Sequence, residues 1–417
     1  MPRTSPDRAA EVLELAQQHF EQGRLIATIE LLAPLAGGGL PAPLVAKVEH
    51  LRCVSAYRLG QLDVSLQSTR AFLKRVDPGI ESTLEQRFAV LAVAVVAAGE
   101  LAQYEQSLEH LTELLGLASR LGGLAHYVRA RGTAASAFFL LGDPWAAQRI
   151  LSALTSEFDR EHDELRLETT MRCNHASLCL QVARMARDAD DPDASQQSLQ
   201  DAQASLDRAV LAAQRLQDLR LVTFVQLHQI ELSLLQGRHE SAWAHLDKAT
   251  VNARAAGLNA HWRHLELLRA ELLLGRGAGL AALDVLDGLR RTETPGHELS
   301  ERLLLRELEF RALQALGRDA AALKARVAFD QLHAYRAFRQ ARAQSALMRK
   351  RLELEHLFQR SSGHKAFGPV KSPGPKLAAS PALAPAPTPT PTPTQAPGGP
   401  AVATRRRAPR PVPISQP

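Results

Sequence analysis

The stretch Leu235-Gln236-Gly237-Arg238-His239-Glu240-Ser241-Ala242 decides the fold. An apolar helix end runs into Gly237, and a new helical period opens beyond it through Ala242, Leu246 and Ala249. Glycine closes a helix by taking the left-handed conformation without a Cβ clash. The same signature recurs as Gln22-Gly23-Arg24, Leu59-Gly60-Gln61, Ala98-Gly99-Glu100, Leu141-Gly142-Asp143, Arg276-Gly277-Ala278 and Leu316-Gly317-Arg318. Successive spacings are 37, 39, 43, 95, 40 and 40 residues. The gap of 95 holds two units, with Asp188-Ala189-Asp190-Asp191-Pro192-Asp193 as the turn without glycine. The chain therefore reads as eight units of about 40 residues, each a pair of helices. Five residues past the glycine stands a small side chain, Thr28, Ser65, Ala147, Ala242, Ala282 or Ala322, which lets two helices approach closely. Tyr104 breaks the pattern and predicts a splayed or locally adjusted third hairpin. Strand signals are nearly absent, so the expected fold is an all-α solenoid.

A turn glycine with a small residue five positions on resembles the tetratricopeptide repeat, and the likeness covers about residues 8–330. Ala249 fits that family's second small position, while Phe72 and Phe329 replace it elsewhere. The period exceeds the family's, and the repeat-ending proline is absent almost throughout. Phrases such as Ala212-Ala213-Gln214-Arg215-Leu216-Gln217-Asp218-Leu219 resemble the long-period repeats in the sensory halves of bacterial GGDEF diguanylate cyclases. No Gly-Gly-Asp/Glu-Glu-Phe signature occurs, so cyclase activity is not carried over. The resemblance implies a right-handed superhelix and a cytoplasmic bacterial signalling or regulatory scaffold.

Composition sets the outer bounds. The 417 residues are 45% hydrophobic and only 5% aromatic, a helix-favouring mixture large enough for a substantial core. Cys53, Cys173 and Cys179 cannot make a disulfide framework. The longest apolar run, Phe88 to Ala98, falls well short of the roughly 20 residues of a membrane span. The charged N-terminus does not read as a signal peptide. Secreted and membrane-spanning classes are therefore not expected. The net charge of +6 belongs to the end of the chain, because residues 361–417 hold seven basic residues and no acid. Three regions follow: repeats over 1–318, a long basic helix over 319–360, and a tail over 361–417. The helix segment contains no Gly or Pro, and between Lys324 and Arg360 it carries nine Lys/Arg against three acids. It is expected to pair with a second copy or hand a signal to a partner. The tail holds 15 of the 24 prolines, which favour extended, solvated chain, so it is expected to be disordered.

Motifs for catalysis are missing: no nucleophile elbow, phosphate loop or dinucleotide fingerprint is present, so no enzyme activity and no cofactor are expected. Gly37-Gly38-Gly39 lies between prolines and reads as an inter-repeat loop. Cys173, His175 and Cys179 diverge on a helix, so the cysteines read as buried small hydrophobes rather than zinc ligands. His261 and His264 share a helix face but lack a second ligand pair. The concave groove remains, lined in the resembling family mainly by the first helix of each hairpin. Counting thirteen back from the turn glycine gives Lys47, Gln86, Arg129, Phe224, His264 and Leu304. Counting six back gives Glu231, Glu271 and Arg311 in the last units. A merely packed face would be apolar, so Lys47, Gln86, Arg129, Glu231, His264 and Glu271 are the expected contacts to a peptide or protein partner. The alternative partner is nucleic acid, met by the basic helix and by Arg405, Arg406, Arg407 and Arg410.

Overall fold

The computed structural model describes residues 6–36, 40–158, 164–255, 259–293 and 297–362. Sixteen α-helices pair in chain order into eight antiparallel hairpins, with no strand among the described residues. The pairs are α1 (Pro6–Glu21) with α2 (Leu25–Leu32), α3 (Ala42–Arg58) with α4 (Leu62–Arg75), α5 (Leu84–Glu100) with α6 (Tyr104–Leu121), and α7 (Leu124–Leu140) with α8 (Pro144–Phe158). They continue as α9 (Leu165–Asp188) with α10 (Pro192–Leu216), α11 (Leu219–Leu235) with α12 (His239–Ala255), α13 (Asn259–Gly275) with α14 (Gly279–Arg291), and α15 (Leu299–Ala315) with α16 (Asp319–Ser362). The fold is the all-α helical-repeat solenoid that the turn signature predicts. The glycine run at 37–39 and the tail from residue 363 lie outside the described residues.

All eight turns close in one way. A residue with positive φ donates its amide to the carbonyl three residues back, and the next amide reaches the carbonyl five back, as in Gly237 to Leu234 and Arg238 to Ser233. Six of these residues are glycine, and Asp190 (φ 57°) serves in the fifth hairpin where the sequence spacing required a turn. The third hairpin corrects the register read from Gly99. Its turn residue is Ala102 (φ 56°), bonded to Gly99, with Gln103 bonded to Ala98. Gly99 lies inside α5, where a Cβ would come within 2.6 Å of Leu140 Cδ1, so it serves the close approach of α5 and α7. Counted from Ala102, the position five on is Ser107, not Tyr104. The hairpin is not splayed: Tyr104 is buried in its core.

With that register every hairpin has a small residue at the crossing, and where it carries a hydroxyl the hydroxyl fastens the two helices. Ser65, Ser107 and Ser195 donate to the carbonyls of Cys53, Val95 and Ala183 at 3.0, 2.8 and 3.1 Å, each twelve residues back. Thr28 points the same way, at Ala16 O. Successive first helices pack on one another, from α1 on α3 to α13 on α15, and among the described residues no comparable packing joins successive second helices. The first helices therefore form the inner layer of a curved stack. The stretch Glu81–Glu100 corrects the expectation drawn from the 11-residue run: with a mean hydropathy of 1.3 it is long and apolar enough to cross a membrane. Its apolarity has another explanation, because α5 is an inner helix covered by α3, α4, α6 and α7, with Leu91, Val95 and Ala98 fully buried.

The stack does not end free. The last hairpin returns to the third and fourth, and Ser300 Oγ at the start of α15 donates to Glu100 at the end of α5 (2.8 Å). The far half of α16 lies along α6 and α7. Arg339 donates to Ala102 O (2.8 Å), Gln340 to Leu140 O (2.7 Å) and Arg131 to Phe358 O (2.9 Å). Ala343 and Leu354 are buried there, and Phe358 stacks on Phe138 with ring centroids 6.3 Å apart. The helix over 319–362 is thus a closing strap as well as the second helix of its own hairpin.

Candidate functional site

The inner layer carries a row of charged residues six positions before the turn. In α9, α11, α13 and α15 these are Arg184, Glu231, Glu271 and Arg311. Arg184 was missed by counting from glycines, because its turn has none. It emerges once Asp190 is the reference.

Glu231 is the centre of the group. It is buried, and it accepts hydrogen bonds from His228 Nδ1 (3.0 Å, one turn earlier on α11) and His264 Nε2 (3.2 Å, on α13). Burial alone would raise the carboxyl, but the bonds from both histidines prevail and hold it well below the usual carboxylate range. Burial likewise disfavours the charged form of His264. The hydrogen bond to Glu231 and its charge overcome this and raise the imidazole above its usual value. His261 lacks such a partner. It lies against Phe224 with rings 5.9 Å apart, and burial, then the charges of His264 and Arg220, lower it to about 4. Several polar atoms of this layer are buried without a hydrogen-bond partner in the chain, among them Nε2 of His228, Oε2 of Glu271, whose other oxygen is 3.9 Å from Arg311, and Oε1 of Gln86. Inside a protein such orphans are uncommon and costly.

Of the six residues expected from sequence, the structure brings Glu231 and His264 together. Glu271 stands two turns from His264 on α13. Lys47 and Arg129 are exposed on α3 and α7. Gln86 is half-buried on α5, but the turn at Ala102 makes Ala89, not Gln86, the counterpart of Lys47. His228 escaped sequence reasoning, although its spacing of three from Glu231 on one helix face was the available signal. No group of three His, Cys, Asp or Glu ligands suited to a metal converges among the described residues. Cys173 and Cys179 are fully buried, and burial pushes the Cys179 thiol up to about 12, so both behave as small hydrophobes.

A second polar cluster marks the joint between the third and eighth hairpins. Burial raises the carboxyls of Glu100 and Glu298, and the nearby charge of Glu301 adds to both. Glu105 on α6 accepts from Arg342 (2.9 Å) and faces Arg339 (3.6 Å) along an open cleft that also holds Gln106, Glu109 and His110.

No family model matches this sequence, and no curated protein is similar to it. Among solved structures the chain is similar to a Rap protein crystallised in complex with competence and sporulation factor. The TM-score is 0.58 at 12% identity, over 81% of this chain and 89% of that one. At that identity the likeness is one of fold.

Proposed function

We propose that this chain is a non-catalytic scaffold that holds a peptide or protein along its inner face, working in the cytoplasm of a bacterium in signalling or regulation. The observation that carries the reading is the row of charged residues on the inner helices, Arg184, Glu231, Glu271 and Arg311, beside which His228 Nε2 and Glu271 Oε2 are buried without a hydrogen-bond partner in the chain. Atoms of that kind take hydrogen bonds from water or from an occupant. Two lines support the setting: the repeats resemble the sensory part of bacterial diguanylate cyclases, and the Rap protein of similar fold was crystallised with a competence and sporulation factor. The three regions 1–318, 319–360 and 361–417 then act as a binding array, a closing helix and a tail.

Affinity capture from the native organism tests this, comparing the full chain, residues 1–362, and the full chain carrying Lys47→Glu, Arg129→Glu and Glu271→Gln. A protein retained by 1–362 and lost from the triple variant is expected. Capture that ignores the triple variant refutes the groove. The alternative, nucleic acid on the basic helix and tail, predicts steeply salt-dependent binding that disappears on deleting residues 361–417. One observation weighs against it: Arg339 and Arg342 are committed to Glu105, and Lys350 to Thr112.

A further inference from the structure

Thirteen large hydrophobic side chains are exposed on the described surface, and five of them stand on a single helix: Leu323, Val327, Tyr335, Phe338 and Met348 of α16. At about 100° per residue, Leu323, Val327, Ala334, Phe338, Ala341 and Met348 fall within an arc of about 80°. The residues that dock on α6 and α7, Arg339, Ala343, Lys350 and Leu354, fall on the opposite side of the helix. The same helix thus has one face fastened to the repeats and another, about 38 Å long from Leu323 to Met348, turned away from them. Phe338 is 67% and Met348 77% exposed, so neither contributes much to the packing of the chain that carries it.

We propose that this outward face docks an amphipathic helix of a partner protein, one whose apolar stripe is bordered by acidic residues. Charge selects the acidic border. Lys324, Arg326 and Arg349 flank the stripe, all exposed, and the only acid within it, Asp330, is bonded to Arg326 (3.1 Å). That rim disfavours a second copy as the occupant: parallel pairing sets each cation beside its own twin, and antiparallel pairing sets Lys324 and Arg326 opposite Arg349. Shape favours a helix over a lipid surface. Ala334 and Ala341, on either side of Phe338, let a helix backbone come close, while Asp330 and Ser345 interrupt the stripe and leave a bilayer little continuous apolar surface to take in.

The test uses the full chain and a fluorescent synthetic four-heptad helix with a leucine and alanine stripe bordered by glutamates, beside the same helix bordered by lysines. The glutamate-bordered helix is expected to bind at least about tenfold more tightly than its lysine twin, and to weaken as salt rises. Phe338→Glu with Met348→Glu should cost at least about tenfold in that affinity while leaving the melting temperature unchanged, because both side chains are exposed. Lys324→Glu with Arg349→Glu should shift preference toward the lysine-bordered helix. Equal binding of the two helices, or no binding of the glutamate-bordered one, overturns the proposal. So does a dimer in sedimentation that Phe338→Glu with Met348→Glu dissolves, which assigns the face to a second copy, or binding to phosphatidylserine-rich vesicles that the same variant abolishes, which assigns it to a membrane. The variants leave every inner-face residue in place, so this failure and failure of the groove are told apart.

Discussion

At the residue scale, one letter serves two physical needs in this chain. Gly237 is glycine because its backbone has φ +72°, with open space where a Cβ would stand. Gly99 is glycine because Leu140 occupies that space. Sequence spacing cannot separate these, and so the third turn was read three residues early, with Tyr104 in the place of Ser107 and Gln86 in the place of Ala89. The hydroxyl clasps were legible only as small residues, since a partner carbonyl twelve residues away leaves no mark in composition. The left-handed position also yields a measurable pair of effects. Gln217 ends α10 with φ 51° on an exposed surface, so Gln217→Gly is expected to stabilise the chain by about 1 kcal/mol. Gly237→Ala is expected to destabilise it by about the same amount. Urea melts of the two variants check the opposite signs, and a loss of stability in Gln217→Gly would refute the account.

At the scale of the element, α16 shows what periodicity conveys and what it hides. Its length was legible from the absence of Gly and Pro over 319–360, and the helix runs to Ser362. Its docking was not, because Leu332, Tyr335, Phe338, Leu347, Leu354 and Leu357 form no single stripe. The structure divides them between faces: Leu332, Leu347, Leu354 and Leu357 pack on the repeats, while Tyr335 and Phe338 stay outside. Two apolar faces on one helix blur each other in sequence. Leu354 is 2% exposed, and Leu354→Ala is expected to cost about 3 kcal/mol. Hydrogen exchange should locate the change, with faster exchange in α6 and α7 and none in α10 to α12. Uniform acceleration along the chain would mean the strap has no particular hold on the third and fourth hairpins.

For the whole molecule, the repeat period was enough to count eight hairpins, because each unit buries its apolar face only against its neighbours and must announce itself at regular intervals. Closure is a different kind of fact. The contact between Ser300 and Glu100 joins residues 200 positions apart and follows from accumulated curvature, which no local pattern records. The joint carries a pH signature. Burial, then Glu100 and Glu301, hold Glu298 well above the usual carboxylate range. The unfolded chain releases that proton near 4.5, before the folded chain does. Stability is therefore full below that value and declines as pH rises through the raised folded value. Glu298→Gln removes the penalty, so its melting temperature is expected to exceed that of the parent near pH 7 and to converge with it near pH 4. A constant offset across that range would place the effect elsewhere than in ionisation.

The strap that runs from the eighth hairpin to the third and fourth also has a meaning for how such a chain changes over generations. An open array tolerates the duplication or loss of a unit, because each new neighbour simply takes up the stacking of the old one. Here α16 reaches about 66 Å from Asp319 to Ser362, and its anchors on α6 and α7 stand at fixed distances along it. Adding or deleting a hairpin among the fifth to eighth would move those anchors out of register, whereas the first two hairpins lie outside the span. Variation in unit number among descendants of this chain is therefore expected to accumulate at its beginning, where the ring leaves the count free.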